Sequence, residues 1–454
     1  MNDSSVRHGY VDCARGLAVL IMIEAHTMDS WTRAVDRQGA AYRNAMILGG
    51  FAAPLFLFLA GLGVALSAES KLRRSGNAGQ ASRAVQRRGW RVLGLAFLFR
   101  LQAYLVSPGS PLPALLKVDI LNVMGPSIVG AAVLWGAARS RAGRVLACAG
   151  AAAAIAMLTP IVRITAWLDW LPDPVEWYFR PIPGRTNFTL FPWAGFVFAG
   201  AAAGVLIGAA RDPRSARRVQ AWLAITSVLV GALGYGTSFL PSIYAESNFW
   251  TSSPTFFFLR VGIVTAVLPL AYLWSRRLRS AARDLWSPLE ELGRSSLFVY
   301  WIHVDIVYGL VTWPLHRRLS LGWAVAAYAV LSLVMLALVI LKNRIVSRWK
   351  ARPHSAATER PSRTPLASRA PGIWSQLTWR AEHVTTWAPI LLLGLDFLRW
   401  PIAARLPADS SAEHAPAHGR GCLEADNAFI FNWIRPELLV LHPSVAQATW
   451  QNSG

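Results

Sequence analysis

The sequence predicts an all-α fold of the polytopic transmembrane kind: a helix bundle of about ten spans with both bundle ends in the cytoplasm. Three observations predict it. First, 54% of the 454 residues are hydrophobic and only 15% are charged, against about 25% in ordinary soluble domains. Second, apolar runs recur near the length of about 20 residues that a helix needs to cross the hydrocarbon core. Third, Lys and Arg number 45 against 24 Asp and Glu, for a net charge of +21, and they cluster between alternate apolar runs, as cytoplasmic loops do. The cations form no stripe on an amphipathic face, so nucleic acid is excluded and the lipid bilayer is the expected partner. Cys13, Cys148 and Cys422 lie far apart and indicate neither a disulfide framework nor a thiolate metal site.

In chain order the expected spans are Val11 to Met28, Ala45 to Ser67, Gly89 to Val106, Ile120 to Ala137, Val145 to Ile164, Phe188 to Ala209, Val219 to Leu240, Phe256 to Trp274, Ser296 to Trp313 and Leu321 to Leu341. A signal-peptide reading of the first run is set aside, because Glu24 and His26 follow it where a small-residue cleavage pattern is required. Lys71, Arg73, Arg74, Arg83, Arg87 and Arg88 follow the second span, and Arg139, Arg141 and Arg144 the fourth. Arg211, Arg214, Arg217 and Arg218 follow the sixth, and Arg276, Arg277, Arg279, Arg283 and Arg294 the eighth. These loops are expected inside, and the poorer loops holding Lys117, then Arg180 and Arg185, then 241–255, outside.

Trp90, Trp135, Trp167, Trp250, Trp274 and Trp313 near span ends suit the aromatic belt at the membrane interface. Gly200, Gly204 and Gly208 recur every four residues, a pattern for close helix contact. Gly61 and Gly63 read as packing positions rather than a nucleotide loop, since no strand precedes them. The chain therefore divides into a membrane domain, residues 1–345, and a basic, Pro/Ser/Ala-rich cytoplasmic tail, residues 346–454, expected to be largely disordered. The apolar run 388–395 in that tail is too short to span.

Ionisable residues inside spans cost on the order of 3 kcal/mol at the bilayer centre, so each calls for a reason. Glu24, His26, Arg100, Gln102, Asp119, Asn122, Arg163, Arg260, His303 and Asp305 all fall toward the extracytoplasmic side of the expected topology. Arg163 and Gln102, near span ends, suit interfacial or helix-locking roles. Arg100 and Arg260 could each hold a carboxylate such as Glu24 or Asp119, or bind an anionic group. His26 and His303 are suited to chemistry, because a neutral imidazole can take a proton from an attacking hydroxyl or amine and return it. Carboxylates nearby would complete a base-and-orienter arrangement. His-Glu-x-x-His, Gly-x-Ser-x-Gly, the phosphate-binding loop and the His-x-x-x-x-Asp pair are all absent. Asn187-Phe188-Thr189 matches a glycosylation sequon, although Asn187 abuts a span.

The run Val11-Asp12-Cys13-Ala14-Arg15-Gly16-Leu17-Ala18, with Met22 and His26, resembles the V-D-x-x-R-G-x-A opening of the heparan-alpha-glucosaminide N-acetyltransferase family. Residues 53–61 (APLFLFLAG), 119–125 (DILNVMG) and 292–297 (LGRSSL), leading into Tyr300, His303 and Tyr308, resemble the same family. The resemblance implies transfer of an acyl group, typically acetyl, from cytoplasmic acetyl-CoA to a sugar amine or hydroxyl of a glycan or glycolipid across a cell membrane. On that reading His26, as general base or as a transient acyl carrier, carries the chemistry with His303, Asp305 and Glu24, and Arg100, Asp119, Asn122 and Arg260 line the acceptor side. Arg15 and Arg294 would hold CoA phosphate or orient the thioester. A homodimer is compatible with this reading.

One departure stands out: the animal members carry a histidine in the loop after the first span, where Asp29 to Asn44 has none. That argues against heparan itself as acceptor. The competing expectations are a proton-coupled transporter or lipid flippase, which also use intramembrane His, Asp and Glu, and a scaffold, which would leave the polar cluster without a purpose. No internal repeat favours the transporter.

Overall fold

The computed structural model describes residues 8–106, 111–281 and 286–351. The expected tail from residue 352 onward, with its 388–395 run and Cys422, lies outside the described residues, as does Arg283. The helices are α1 (Gly9–Trp31), α2 (Ala40–Gly49), α3 (Ala52–Ser75), α4 (Ala78–Val106), α5 (Ile120–Ala137), α6 (Arg141–Ile164), α7 (Asp173–Glu176), α8 (Leu190–Ala209), α9 (Pro213–Thr237), α10 (Pro254–Ala281), α11 (Pro288–Arg294), α12 (Ser296–Tyr308) and α13 (Leu321–Ala351). Among the described residues there is no strand, and two isolated β-bridges, Thr32 with Leu319 and Val118 with Thr186, tie loops together. The chain divides into two compact units, with one division in sequence between Leu333 and Val334. The second is described only as the continuation of α13, and everything below concerns the first.

Among the described residues seven helical stretches are long and apolar enough to cross a membrane: Ala40–Ser75, Ile120–Ala137, Arg141–Ile164, Leu190–Ala209, Pro213–Thr237, Pro254–Arg277 and Leu321–Trp349. The chain is thus a multipass membrane protein. The other three expected spans form helices but miss that standard for visible reasons. Asp12, Arg15, Glu24 and Asp29 interrupt α1, Arg91 and Arg100 interrupt α4, and α12 has 13 residues before the chain turns into a 3₁₀ segment, Leu310–Leu315. The second expected span, Ala45 to Ser67, lies within the longer stretch Ala40–Ser75, since α2 and α3 follow each other almost without interruption.

Caps set several of the boundaries. Asp119 and Asn122 close a capping box at the start of α5, and Asp212 accepts from Arg214 N (2.8 Å) and Ser215 N (3.0 Å) where Pro213 opens α9. Gly76 ends α3 at φ 65°, a left-handed conformation that glycine adopts without steric cost.

The core is built on contact between α3 and α8, and its glycines explain it. A Cβ on Gly61 would lie 1.8 Å from the Val197 carbonyl oxygen, and one on Gly200 would lie 1.8 Å from that of Phe58. Backbones therefore touch where side chains would otherwise stand, the usual basis of small-residue helix packing in membranes. Gly208, at the end of the same row, meets side chains rather than backbone, Glu69 Cγ at 3.2 Å and Leu66 Cδ2 at 3.5 Å. Gly200→Ala is accordingly expected to cost more than the roughly 1–3 kcal/mol of ordinary overpacking, read as a lowered melting temperature in detergent. Gly208→Ala is expected to leave that temperature nearly unchanged.

The motif glycines of the opening and of Leu292-Gly293-Arg294 serve another crossing. A Cβ on Gly16 would meet the Leu289 carbonyl oxygen at 2.0 Å, and one on Gly293 that of Asp12 at 1.9 Å, so α1 and α11 touch along their backbones.

The basic ends of the helices gather together. Tyr10 accepts from Gln220 Nε2 (3.2 Å), linking the starts of α1 and α9. Arg73 donates to the Gly208 carbonyl (3.2 Å), linking the ends of α3 and α8. Arg144 pairs with Glu69 (2.9 Å), linking the start of α6 to α3. Trp135 corrects the expectation of an interfacial ring: it is wholly buried, with the Arg144 guanidinium 4.0 Å over its face. A cation over a desolvated indole contributes about 2 kcal/mol, so this tryptophan anchors α5 to α6 inside the bundle.

Candidate active site

Sequence spacing decides which of these ionisable residues share a face. Residues three or four apart on a helix stand one above the other, whereas residues two apart point to opposite sides. His26 thus shares a face of α1 with Asp29 and Ser30, not with Glu24. On α12, His303 shares a face with Val299 and Val307, not with Asp305.

The structure brings His26 and His303 together. His26 Nδ1 lies 2.8 Å from His303 Nε2, and the two rings are parallel to within 3°. His303 is completely buried, and its Nδ1 lies 2.7 Å from the Val299 carbonyl oxygen one turn back on α12. His26 is partly exposed. The Tyr308 ring stands edge-on to it, with centroids 5.6 Å apart, and the Tyr308 hydroxyl donates to Asp29 Oδ2 at 3.0 Å. Asp29 in turn is paired with Arg37 (3.6 Å), whose guanidinium also donates to the backbone carbonyls of Asp29 and Thr32.

What sets the register is a strap between the end of α1 and the segment after α12. Ser30 Oγ and Trp31 Nε1 both donate to the Val307 carbonyl at 3.1 Å, Leu319 N donates to Trp31 O (2.9 Å), and Arg33 N donates to Leu319 O (2.8 Å). Asp29, Arg37 and Tyr308 are therefore parts of the site that the intramembrane-charge argument passed over. The signal that could have found Asp29 is its position three residues after His26.

The expected carboxylates of the pair lie elsewhere. Glu24 is buried against α2, where a Cβ on Gly49 would come within 3.3 Å of Glu24 Oε2, and that oxygen has no hydrogen-bond partner among the described residues. Asp305 is on the exposed side of α12 and accepts from Gln102 Nε2 (2.9 Å), while Gln102 Oε1 accepts from Trp301 Nε1 (2.6 Å). Gln102 thus clamps α4 to α12.

A second polar group adjoins the first through aromatic rings. Tyr300 stands edge-on to His303 (6.0 Å) and beside Phe99 (5.8 Å), the neighbour of Arg100. Arg100 forms an ion pair with Asp119, and Asp119 Oδ1 also accepts from Asn187 Nδ2 (3.2 Å). Asn122 Oδ1 accepts from Asp119 N (3.1 Å), and Asn122 Nδ2 faces the Tyr178 hydroxyl (3.5 Å). Asn187, noted in the sequence only as a sequon, is held here by Val118, whose carbonyl accepts from Asn187 N (2.9 Å). Beside them burial, and then the charge of Arg100, hold Lys117 down at about 8. The positive charge of this corner accordingly falls as pH rises through 8. Arg100, Asp119 and Asn122 are thus brought together, and Arg260 is not among them. It is buried on α10 with its guanidinium 4.0 Å over the Phe256 ring and 5.9 Å from that of Trp193. Arg163 donates to Thr251 Oγ1 (3.0 Å) and O (2.9 Å), joining α6 to the loop before α10.

Arg15 and Arg294 meet at the opposite end of α1, on Asp12. Arg15 lies 3.1 Å and Arg294 3.7 Å from its carboxylate, and Arg294 also reaches Glu290 (2.8 Å) and Glu291 (3.4 Å). Phosphate could replace these carboxylates only by competing with them. Exposed arginines stand on α4 (Arg83, Arg87 and Arg88) and around the start of α9 (Arg211, Arg214, Arg217 and Arg218).

The fold and site thus define a multipass membrane protein with a partly exposed imidazole backed by a buried one and a polar corner beside it. The sequence model described as "Heparan-alpha-glucosaminide N-acetyltransferase, catalytic" matches residues 7–232, and over these residues the chain belongs to that family. The match takes in α1 to α8 and most of α9, with His26, Arg100, Asp119 and Asn122, and stops before α12, which carries His303. No curated protein matches the chain.

Proposed function

We propose that this protein moves an acetyl or other acyl group from cytoplasmic acyl-CoA to an amine or hydroxyl of a glycan or glycolipid on the extracytoplasmic side of the cell membrane. The observation that carries the proposal is the His26–His303 pair: a partly exposed imidazole hydrogen-bonded to one that is fully buried. Acceptor oxygen or nitrogen attacks the thioester carbonyl and gives its proton to His26. The carbon–sulfur bond then breaks, and the departing thiolate takes that proton back. Asp119, Asn122 and Asn187 supply the mixed acceptors and donors that sugar hydroxyls and amines require.

On this proposal ten helices cross the bilayer, α1, α4 and α12 being carried by their neighbours despite their charges. The end holding Arg73, Arg144 and Arg218 is cytoplasmic by the positive-inside rule. Basic side chains there, with Arg15 and Arg294 released from Asp12, would meet CoA phosphates. The domain boundary at 345/346 belongs to the same proposal.

The test is direct. Purified protein in proteoliposomes, supplied with acetyl-CoA on one side and glucosamine on the other, is expected to release free CoA thiol and form acetylated sugar. Movement of an unmodified solute with no thiol release would favour the transporter. Reporter fusions after Arg74 and Arg141 are expected to report cytoplasm, and fusions after Lys117 and Glu246 the opposite side. A cytoplasmic Lys117 would reverse the proposed direction of transfer.

A further inference from the structure

His303 lies beyond the residues that the family match covers, and two imidazoles 2.8 Å apart can share a proton in either of two ways. The surroundings choose between them. Val299 O is a backbone carbonyl, which only accepts, so His303 Nδ1, 2.7 Å away, must carry the hydrogen of that bond. Neutral imidazole has one donor and one acceptor, so His303 Nε2 is left as an acceptor. The hydrogen between the rings must then be on His26 Nδ1. His26 Nε2, at the far end of the chain, has no hydrogen and keeps its lone pair. The donors thus point one way: His26 Nδ1 to His303 Nε2, and His303 Nδ1 to Val299 O. The end that donates nothing is on the partly exposed ring, and the end that is fixed is on the fully buried one.

We infer that His303 is a positioning residue which locks His26 in the tautomer protonated at Nδ1 and so presents Nε2 as the base. This rests on the acyl-transfer reading above and deepens it. In the familiar nucleophile–base–carboxylate arrangement an aspartate receives the Nδ1 hydrogen of the base; here the orienting group is a neutral imidazole anchored to a helix carbonyl. No buried carboxylate is needed, in keeping with Asp305 turned toward Gln102 and Glu24 turned toward α2. When the acceptor attacks the thioester, its proton arrives at His26 Nε2. The resulting imidazolium is held by a hydrogen bond that has become charge-assisted, from His26 Nδ1 to His303 Nε2. The thiolate leaves, takes the proton from Nε2, and the original tautomer returns with nothing consumed. The Tyr308 ring against the edge of His26, fixed through its hydroxyl to Asp29 and Arg37, keeps the imidazole in the plane this bond requires.

Two measurements test the inference separately from the reading on which it rests. The first needs no substrate. Nitrogen NMR of full-length protein carrying ¹⁵N-histidine, with His26→Gln and His303→Gln samples to assign the signals, is expected to show a protonated Nδ1 and a bare Nε2 on His26, and a protonated Nδ1 on His303. A protonated Nε2 on His26 overturns the inference, whatever activity is found. The second follows transfer from acetyl-CoA to glucosamine. Gln at 303 can place Oε1 where Nε2 stood and still accept from His26 Nδ1, so His303→Gln is expected to stay within a few-fold of the parent. His303→Leu fills the space but accepts nothing, and is expected to lower kcat by roughly 10²-fold with KM for acetyl-CoA unchanged. Normal kcat in His303→Leu, or equal damage by Gln and Leu, overturns the positioning role. If the NMR gives the expected tautomer and no thioester is ever consumed, the orientation of His26 stands and the acyl-transfer reading falls.

Discussion

Replacing His26 by alanine is expected to lower acyl transfer by roughly 10²- to 10⁴-fold, the range in which a positioned general base contributes, with expression and melting temperature nearly unchanged. The small structural cost follows from its exposure: the ring is only partly covered, and it is not part of the α3/α8 core. The loss should fall on kcat, since the residue acts on the proton that moves in the transition state rather than on ground-state binding. Asp305→Asn provides the contrast. Its carboxylate accepts from Gln102 and faces away from the pair, so transfer is expected to stay within a few-fold of the parent. If the Asp305 variant lost as much kcat as the His26 variant, the proton path drawn here would be wrong and the carboxylate would have to enter it. If His26→Ala transferred normally, the imidazole would be a packing residue.

The largest effect on stability is expected from Arg100→Met. It removes the guanidinium from Asp119, a carboxylate whose side chain is only 13% exposed, and leaves that charge in a poorly solvated place. Breaking a buried pair from one side costs on the order of 3–5 kcal/mol, whereas removing both partners is often close to neutral. The double variant Arg100→Met with Asp119→Asn is therefore expected to recover most of the lost melting temperature, because asparagine can still cap α5 and still face Asn187. Transfer should remain impaired in the double variant if this corner also receives the acceptor. A double variant as unstable as the single one would show that Arg100 acts by packing rather than by charge.

Much of this was legible in the sequence because bilayer physics acts on short segments. Runs of apolar residues, the alternation of arginine-rich loops and the glycines spaced by four each state their requirement locally, and the helices appear where those signals stand. The resemblance carried by Val11 to Ala18 was local too, and the family match begins at residue 7. The interruptions were also local, since Asp12, Arg15, Glu24 and Asp29 keep α1 below the apolar standard of a membrane-crossing helix.

Pairing was not legible, because it depends on which helices meet and at what height. His26 and His303 are 277 positions apart, and nothing in either segment specifies the other. Glu24 and Asp305 were attractive partners because they are near the histidines in sequence, yet a separation of two on a helix turns side chains to opposite faces. That part of the correction follows from helical geometry alone. The rest needed the tertiary structure: that the strap through Val307 and Leu319 sets α12 at the height of His26, that Asp12 gathers Arg15 and Arg294, and that Trp135 lies under Arg144 instead of at the lipid interface. The sequence by itself determined which segments are apolar enough to enter a membrane, since that is a property of each segment alone. Only the tertiary structure decided which of them face one another, since hydrogen bonds act over about 3 Å and that distance is set by backbone contacts between distant helices.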